Sequence, residues 1–238
     1  MKITPRLDVL AGLVPISDTM ADIGTDHAYI PIRLCSGRKV KRAIASDIHE
    51  GPLQKAQKHI YEENLADRIR TRLGSGLSVL RPGEADGAVI AGMGGTLICD
   101  ILEAEPEVLC AFRWLVLQPM THAADLRRWL ALHGWRIQKE KFALEDTKLY
   151  EMFLCVQGQM NFPSPLWEEI GMEHWRDGDA LMELHLQRLI NKRTAILNGI
   201  SIESKSGKNP AKRKRALREK KELEELLWEY RQKKSSNS

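Results

Sequence analysis

A chain of 238 residues, 43% hydrophobic and 29% charged, is long enough for one large domain or a medium domain with an appendage. No apolar run approaches the roughly 18 residues needed to span a bilayer, so no membrane partner is expected, and no apolar signal core follows Met1-Lys2-Ile3-Thr4-Pro5-Arg6. The net charge of +4 is local: residues 1–160 balance 20 basic against 20 acidic side chains, whereas residues 161–238 carry 16 against 12.

In chain order, Thr19–Ile23 is a short apolar run ending in a glycine-containing turn, which reads as a buried strand. Tyr29–Leu34 follows with helical spacing, Pro31 being tolerable only in a first turn. Arg42–Asp47 reads as a second strand, Pro52–Asn64 as a helix with Leu53, Ala56, Gln57 and Ile60 stacked, and Arg68–Leu73 as a third strand. Ala88–Ala91 and Trp114–Leu117 are further buried strands, each followed by a helical stretch. This alternation predicts an α/β fold with a mostly parallel sheet and helices on both faces. Trp135–Lys141 and Tyr150–Val156, joined through Glu145-Asp146, have no helix between them and predict an antiparallel hairpin closing the sheet.

Composition changes near Gly158, which divides the chain into residues 1–158 and 159–238. Two long polar helices are expected beyond it, Leu166 to about Asn198 and Pro210 to about Lys233, with a turn over 204–210. Leu181, Leu184, His185, Leu189 and Ile196 in the first, and Leu217, Leu223, Leu226, Leu227 and Tyr230 in the second, recur near heptad spacing. They predict an antiparallel coiled-coil hairpin. Ser235–Ser238 is expected to be disordered. The cysteines, Cys35, Cys99, Cys110 and Cys155, are widely spaced and contain no CxxC pair, which argues against a disulfide scaffold or a zinc site. All four are expected as buried small side chains, in a cytoplasmic protein.

In an open parallel sheet, ligands bind outside the carboxyl ends of the strands, where the strand order reverses. The first such turn is Asp22-Ile23-Gly24-Thr25-Asp26-His27-Ala28. Gly24 lets a ligand approach the backbone, but the loop is not the GxGxxG of a pyrophosphate cradle. Asp22 and Asp26 would repel a dinucleotide phosphate and attract a sulfonium that also carries an ammonium group, so S-adenosylmethionine is favoured over a nicotinamide cofactor. Asp47, 23 residues beyond Gly24, stands where an acid accepts hydrogen bonds from ribose hydroxyls. Ile48 can pack on the adenine face, and Ser75 of Gly74-Ser75-Gly76 can bond the adenine edge. Gly92, Met93, Gly94 and Gly95 make a turn that exposes backbone to whatever lies above the sulfonium, and Gln118-Pro119-Met120 opens onto the same edge.

The runs Ala-Asp-Ile-Gly-Thr-Asp-His-Ala-Tyr-Ile-Pro at 21–31, Ala-Gly-Met-Gly-Gly at 91–95 and Leu-Gln-Pro at 117–119 resemble the bacterial tRNA (adenine-22, N1)-methyltransferase family, often called TrmK. The resemblance extends over essentially the whole chain. It implies a Rossmann-like class I methyltransferase domain, tRNA as substrate, and cofactor contacts at Asp22, Gly24, Asp26, His27, Asp47, Ile48 and Gly92. Ser75 departs from it, standing where an acid is expected.

Methylation of adenine N1 is an in-line displacement by a ring lone pair, which needs no metal and no covalent intermediate; holding N1 about 3 Å from the methyl supplies most of the catalysis. Asp26, His27, Tyr29, Met93 and Gln118 are the candidates beside the methyl. Tyr29 can stack on the target base, His27 can orient it or relay a proton, and Asp26 can bond the exocyclic amine or cap the helix that follows. Two basic clusters, Arg33, Arg38, Lys39, Lys41 and Arg42, and Lys212, Arg213, Lys214 and Arg215, are candidate RNA contacts. A solubilising helix face is the alternative for either cluster. Rival readings are a methyltransferase acting on another substrate, a non-catalytic RNA-binding protein retaining the cofactor fold and, weakest, a nicotinamide oxidoreductase. A monomer is expected, with tRNA as partner and no DNA.

Overall fold

The computed structural model describes residues 4–203 and 210–236, which divide into two compact units, one ending at Pro163 and the other beginning at Ser164. The first unit holds seven strands: β1 (Ser17–Ile23), β2 (Val40–Asp47), β3 (Ile69–Leu73), β4 (Gly87–Gly94), β5 (Trp114–Thr121), β6 (Trp135–Glu145) and β7 (Lys148–Gln157). They form one sheet in the order β3-β2-β1-β4-β5-β7-β6, parallel from β3 to β5. β7 runs antiparallel between β5 and β6, as the helix-free hairpin predicts, and Asp146 takes the left-handed conformation (φ 54°) in its turn.

Alternation along the strands splits the apolar residues between the two faces. Val89 and Val116 belong to the face covered by α1 (Pro5–Leu13), α2 (Tyr29–Ser36) and α3 (Glu50–Glu62). Ile90, Leu115 and Leu117 belong to the face covered by α4 (Gly95–Ala104), α5 (Pro106–Ala111) and α6 (Ala123–Leu132). Nearly continuous burial along β5 is what a strand covered on both faces requires. At the far edge, Arg127 of α6 is fully buried and bonds Glu140 of β6 and Glu151 of β7, each at 2.7 Å.

Several expectations are corrected. Helix α1 was not foreseen, although Thr4-Pro5 is a capping residue followed by a proline at the first helical position, and the Thr4 hydroxyl accepts from the Leu7 amide. β4 does not give way to a free turn after Ala91; it stays laddered to β5 through Gly94 with two register shifts. Cys110 is exposed, because Val108 and Leu109 take the inward face of the short α5, while the other three cysteines are buried.

In the second unit the single helix expected from Leu166 to Asn198 is three: α7 (Pro165–Ile170), α8 (Met172–Asp177) and α9 (Met182–Glu203). Gly171 (φ 86°) and Gly178 (φ 62°) adopt the left-handed region that ends helices. Helix α10 (Pro210–Ser236) pairs with α9, and its regular structure reaches Ser235 and Ser236, against the expected disorder; Asn237, Ser238 and positions 204–209 of the expected turn lie outside the described residues. The buried seam differs in detail from the expected one. On α9 it is Met182, His185, Leu186, Leu189, Ile190 and Arg193; on α10 it is Ala216, Glu219, Leu223, Leu227 and Tyr230. Leu217 is 45% exposed, and Arg193 takes a seam place because it bonds both Glu219 (2.9 Å) and Glu169 of α7 (2.5 Å). No helix among the described residues is long and apolar enough to cross a membrane.

Candidate active site

The strand order reverses between β1 and β4, and the parallel strands end along one edge of the sheet. That edge gathers Asp22 and Gly24 from β1, Asp47 and Ile48 from β2, Ser75 and Gly76 after β3, and Gly92 and Met93 from β4. The loop after β1 is clamped to β2 by two bonds, the Gly24 and Thr25 amides both donating to the Ser46 carbonyl at 2.8 Å. Gly24 sits at φ +77°, and a Cβ there would lie 2.1 Å from the Met93 methyl. The Met93 side chain therefore rests on the bare Cα of Gly24 and joins the tips of β1 and β4. Gly92, at φ +79°, has open space where its Cβ would be.

Asp22 is the electrostatic centre of the edge. It is 8% exposed, and burial pushes its carboxyl up to about 6; the Thr25 hydroxyl opposes this by hydrogen bonding, and the nearby Asp47 charge adds to it. Among the described residues no cation is paired with it. Asp47 is half-buried, holds the His49 amide with one carboxylate oxygen (2.8 Å), and accepts the Gly74 amide at its carbonyl (3.0 Å). Ile48 is 59% exposed beside it, and Ser75 is exposed. A buried acid without a cation, two left-handed glycines and an exposed apolar side chain suit a nucleoside that carries positive charge. Among the described residues, no group of three or more His, Cys, Asp or Glu side chains is arranged to hold a metal.

Beyond Asp22, His27, Tyr29 and His59 stack mutually, with ring centroids 5.0–5.6 Å apart and planes within 24°. His59 comes from α3, and its Nδ1 lies 3.2 Å from the His27 carbonyl; donation there leaves Nε2 as the free acceptor. Sequence reading missed this residue, whose only signal is its place one residue before the buried Ile60. Asp26 is exposed and lies 3.1 Å from His27 Nε2 and 3.8 Å from the Lys55 ammonium. It does not cap α2. The Thr25 hydroxyl accepts the Ala28 amide instead (3.0 Å), and Ala28 enters the helix in the left-handed conformation.

The Gln118 side chain is engaged by protein groups. It is fully buried; its Oε1 accepts from the Gly92 amide (3.2 Å) and Arg6 Nη1 (2.8 Å), and its Nε2 donates to the Pro119 carbonyl (3.0 Å). Its role is to hold the Gly92 turn, and Arg6, absent from the sequence reading, braces it from α1.

The basic cluster at 33–42 also separates. Arg38, Lys39, Lys41 and Arg42 lie at the start of β2, the edge opposite Asp47. Lys39 is engaged by the Ala11 and Gly12 carbonyls (3.0 and 2.8 Å), Lys41 by Asp18 (2.7 Å) and Arg33 by Asp8 (3.4 Å). In the helical unit Lys212, Arg213, Lys214 and Arg215 are all exposed on α10, with Arg215 bonded to Glu219 (2.6 Å).

Residues 3–153 match the family model described as a methyltransferase domain. The tRNA (adenine(22)-N(1))-methyltransferase of Bacillus subtilis is 40% identical over 158 residues, 66% of each chain. The crystal structure of the B. subtilis m1A22 tRNA methyltransferase TrmK superposes with a TM-score of 0.85 at 32% identity, covering 95% of this chain and 99% of that one. Mycoplasma capricolum TrmK, solved with S-adenosyl-homocysteine, gives 0.80 at 28% identity, covering 95% and 98%. Together with the charge pattern around Gly24, these likenesses place the chain in the methyltransferase-domain family and, within it, among the TrmK-like bacterial tRNA (m1A22) methyltransferases.

Proposed function

We propose that this protein transfers a methyl group from S-adenosylmethionine to N1 of an adenine in tRNA, at position 22 as in the relatives named above. The observation that carries the reading is Asp22, a buried carboxyl with no cation beside it among the described residues, at the sheet edge where the strand order reverses. When bound, the cofactor supplies a methyl already activated by its sulfonium. Asp22 ionises against the positive charge of the methionine portion, Asp47 accepts from the ribose hydroxyls, and Ile48 covers an adenine face.

The chain's remaining task is to present the target base. Its N1 lone pair is free once Watson–Crick pairing is absent, so no general base is needed for the displacement; positioning is the main contribution. The His27–Tyr29–His59 rings offer the aromatic surface on which a flipped base can stack. Methylation moves the positive charge from sulfur to the adenine ring, and the Asp26 carboxylate beside His27 would stabilise a charge formed on a base stacked there. The exposed Lys212, Arg213 and Lys214 supply phosphate contacts from the helical unit. A cytoplasmic monomer remains part of this reading.

The test is nucleoside mass spectrometry of unmodified tRNA incubated with the protein and methyl-labelled cofactor. Labelled 1-methyladenosine is expected, and its absence overturns the reading.

A further inference from the structure

At the β2–β3 edge of the sheet lies an open cavity of about 300 Å³, lined by Arg42, Arg68, Arg70, Arg72, Asp67 and Glu84 among others. Parallel pairing sets Ile44 beside Arg70 and Ser46 beside Arg72, so Arg42, two residues before Ile44, shares the face of Arg70 and Arg72. Two of the four guanidiniums are committed. Arg72 forks onto Glu84 and reaches the Val79 carbonyl (2.6 Å), and that hydrogen bonding holds the Glu84 carboxyl down at about 2. Arg68 donates to the Lys41 and Val40 carbonyls, both at 2.9 Å.

Arg42 and Arg70 are different. Both are exposed, they lie diagonally on adjacent strands with Ile44 the direct partner of Arg70, and neither has a hydrogen bond or ion pair among the described residues. The carboxylate that acts on Arg42 through space, Asp18, is itself bonded to Lys41 (2.7 Å), and like charges gathered on one sheet face favour an anion between them. We propose that Arg42 and Arg70 form a docking site for a backbone phosphodiester of the RNA substrate, remote from the methyl-transfer edge. The flanking carboxylates of Asp67 and Glu84 leave the cavity with a net +2, since four arginines face two acids. That positive balance favours an anion such as a backbone phosphodiester. The site spans the edge strand β3 and its neighbour β2, reachable by a long polymer, and it regroups Arg42 with Arg70 rather than with its sequence neighbours.

The inference rests on the tRNA reading above, and the experiment separates the two. Binding of tRNA is measured against salt for the full chain and for the Arg42→Gln/Arg70→Gln variant, with cofactor affinity followed by calorimetry. The variant is expected to weaken tRNA binding roughly 10-fold near 0.15 M salt and to flatten the log–log salt slope by about 1 to 2, with cofactor affinity unchanged. The Arg42→Lys/Arg70→Lys variant is expected to keep most of the slope. Unchanged tRNA affinity and slope in the glutamine variant overturn the proposal. So does saturation of the groove by millimolar inorganic phosphate that leaves tRNA binding untouched. Failure of the unaltered protein to bind or methylate tRNA counts against the functional reading instead.

Discussion

Two carboxylates of the first unit are almost equally hidden, Asp22 at 8% exposure and Glu140 at 1%. Glu140 meets the Arg127 guanidinium at 2.7 Å, and Glu151 binds the same group from the other side. Asp22 has the Thr25 hydroxyl and no cation among the described residues, and its carboxyl rises to about 6. Burial alone therefore does not tell structural acids from functional ones. The compensated acid belongs to the sheet's far edge, where it fixes α6 to the hairpin. The uncompensated acid belongs to the edge where strand order reverses, and under the proposed function a ligand that brings its own positive charge completes it.

The largest effect expected from this contrast is at Arg127. Arg127→Ala removes the guanidinium that meets buried Glu140 and should lower unfolding stability by about 3–5 kcal/mol, read from urea denaturation. A loss under 1 kcal/mol would put Glu140 in the same class as Asp22. The next effect has the opposite sign for stability. The folded-state carboxyl of Asp22 sits above its unfolded value of 3.8, so the folded protein holds a proton that the unfolded chain releases. The resulting penalty develops as pH rises from about 4 to about 6 and is complete above that, at roughly 3 kcal/mol. Asp22→Asn should therefore raise the ligand-free melting temperature at pH 8 while weakening cofactor affinity roughly 10- to 100-fold. A variant that melts lower and binds equally well breaks the comparison.

Much of this was legible in sequence because the signals were local. Strand and helix periods alternate openly through Leu117, and the missing helix between Trp135 and Val156 betrays the antiparallel closure. Gly24, Asp47 and Gly92 can be placed because a parallel sheet puts every strand's carboxyl end on one edge. The missed features depend on long-range pairing. Arg6 reaches Gln118 across 112 positions, and His59 meets His27 across 32. Arg42 reads as one member of a basic run until β3 comes to lie beside β2 and supplies Arg70. The breaks at Gly171 and Gly178 were visible as glycines, but they lie in the same polar composition as the heptad run that begins at Leu181. Arg193 keeps the seam's spacing, seven residues after Leu186, but its charge hides it from an apolar count.

The smallest expected effects sharpen the account of Asp22. Since the ionised carboxyl is the form that attracts a cation, cofactor affinity should climb with pH, steepest below about 6 and level above it. Calorimetry between pH 5 and 8 checks this, and Asp22→Asn should abolish the dependence. Thr25→Val removes the hydroxyl that favours ionisation of Asp22, so the midpoint should move upward and affinity near pH 6 should fall severalfold, with little change at pH 8. The hydroxyl also accepts the Ala28 amide, so a purely structural role would lower affinity equally at every pH. Thr25→Ser keeps the oxygen and should restore the original profile. A pH-independent loss in the valine variant would assign Thr25 to holding the turn into α2 and leave burial and the Asp47 charge to account for the displaced titration of Asp22.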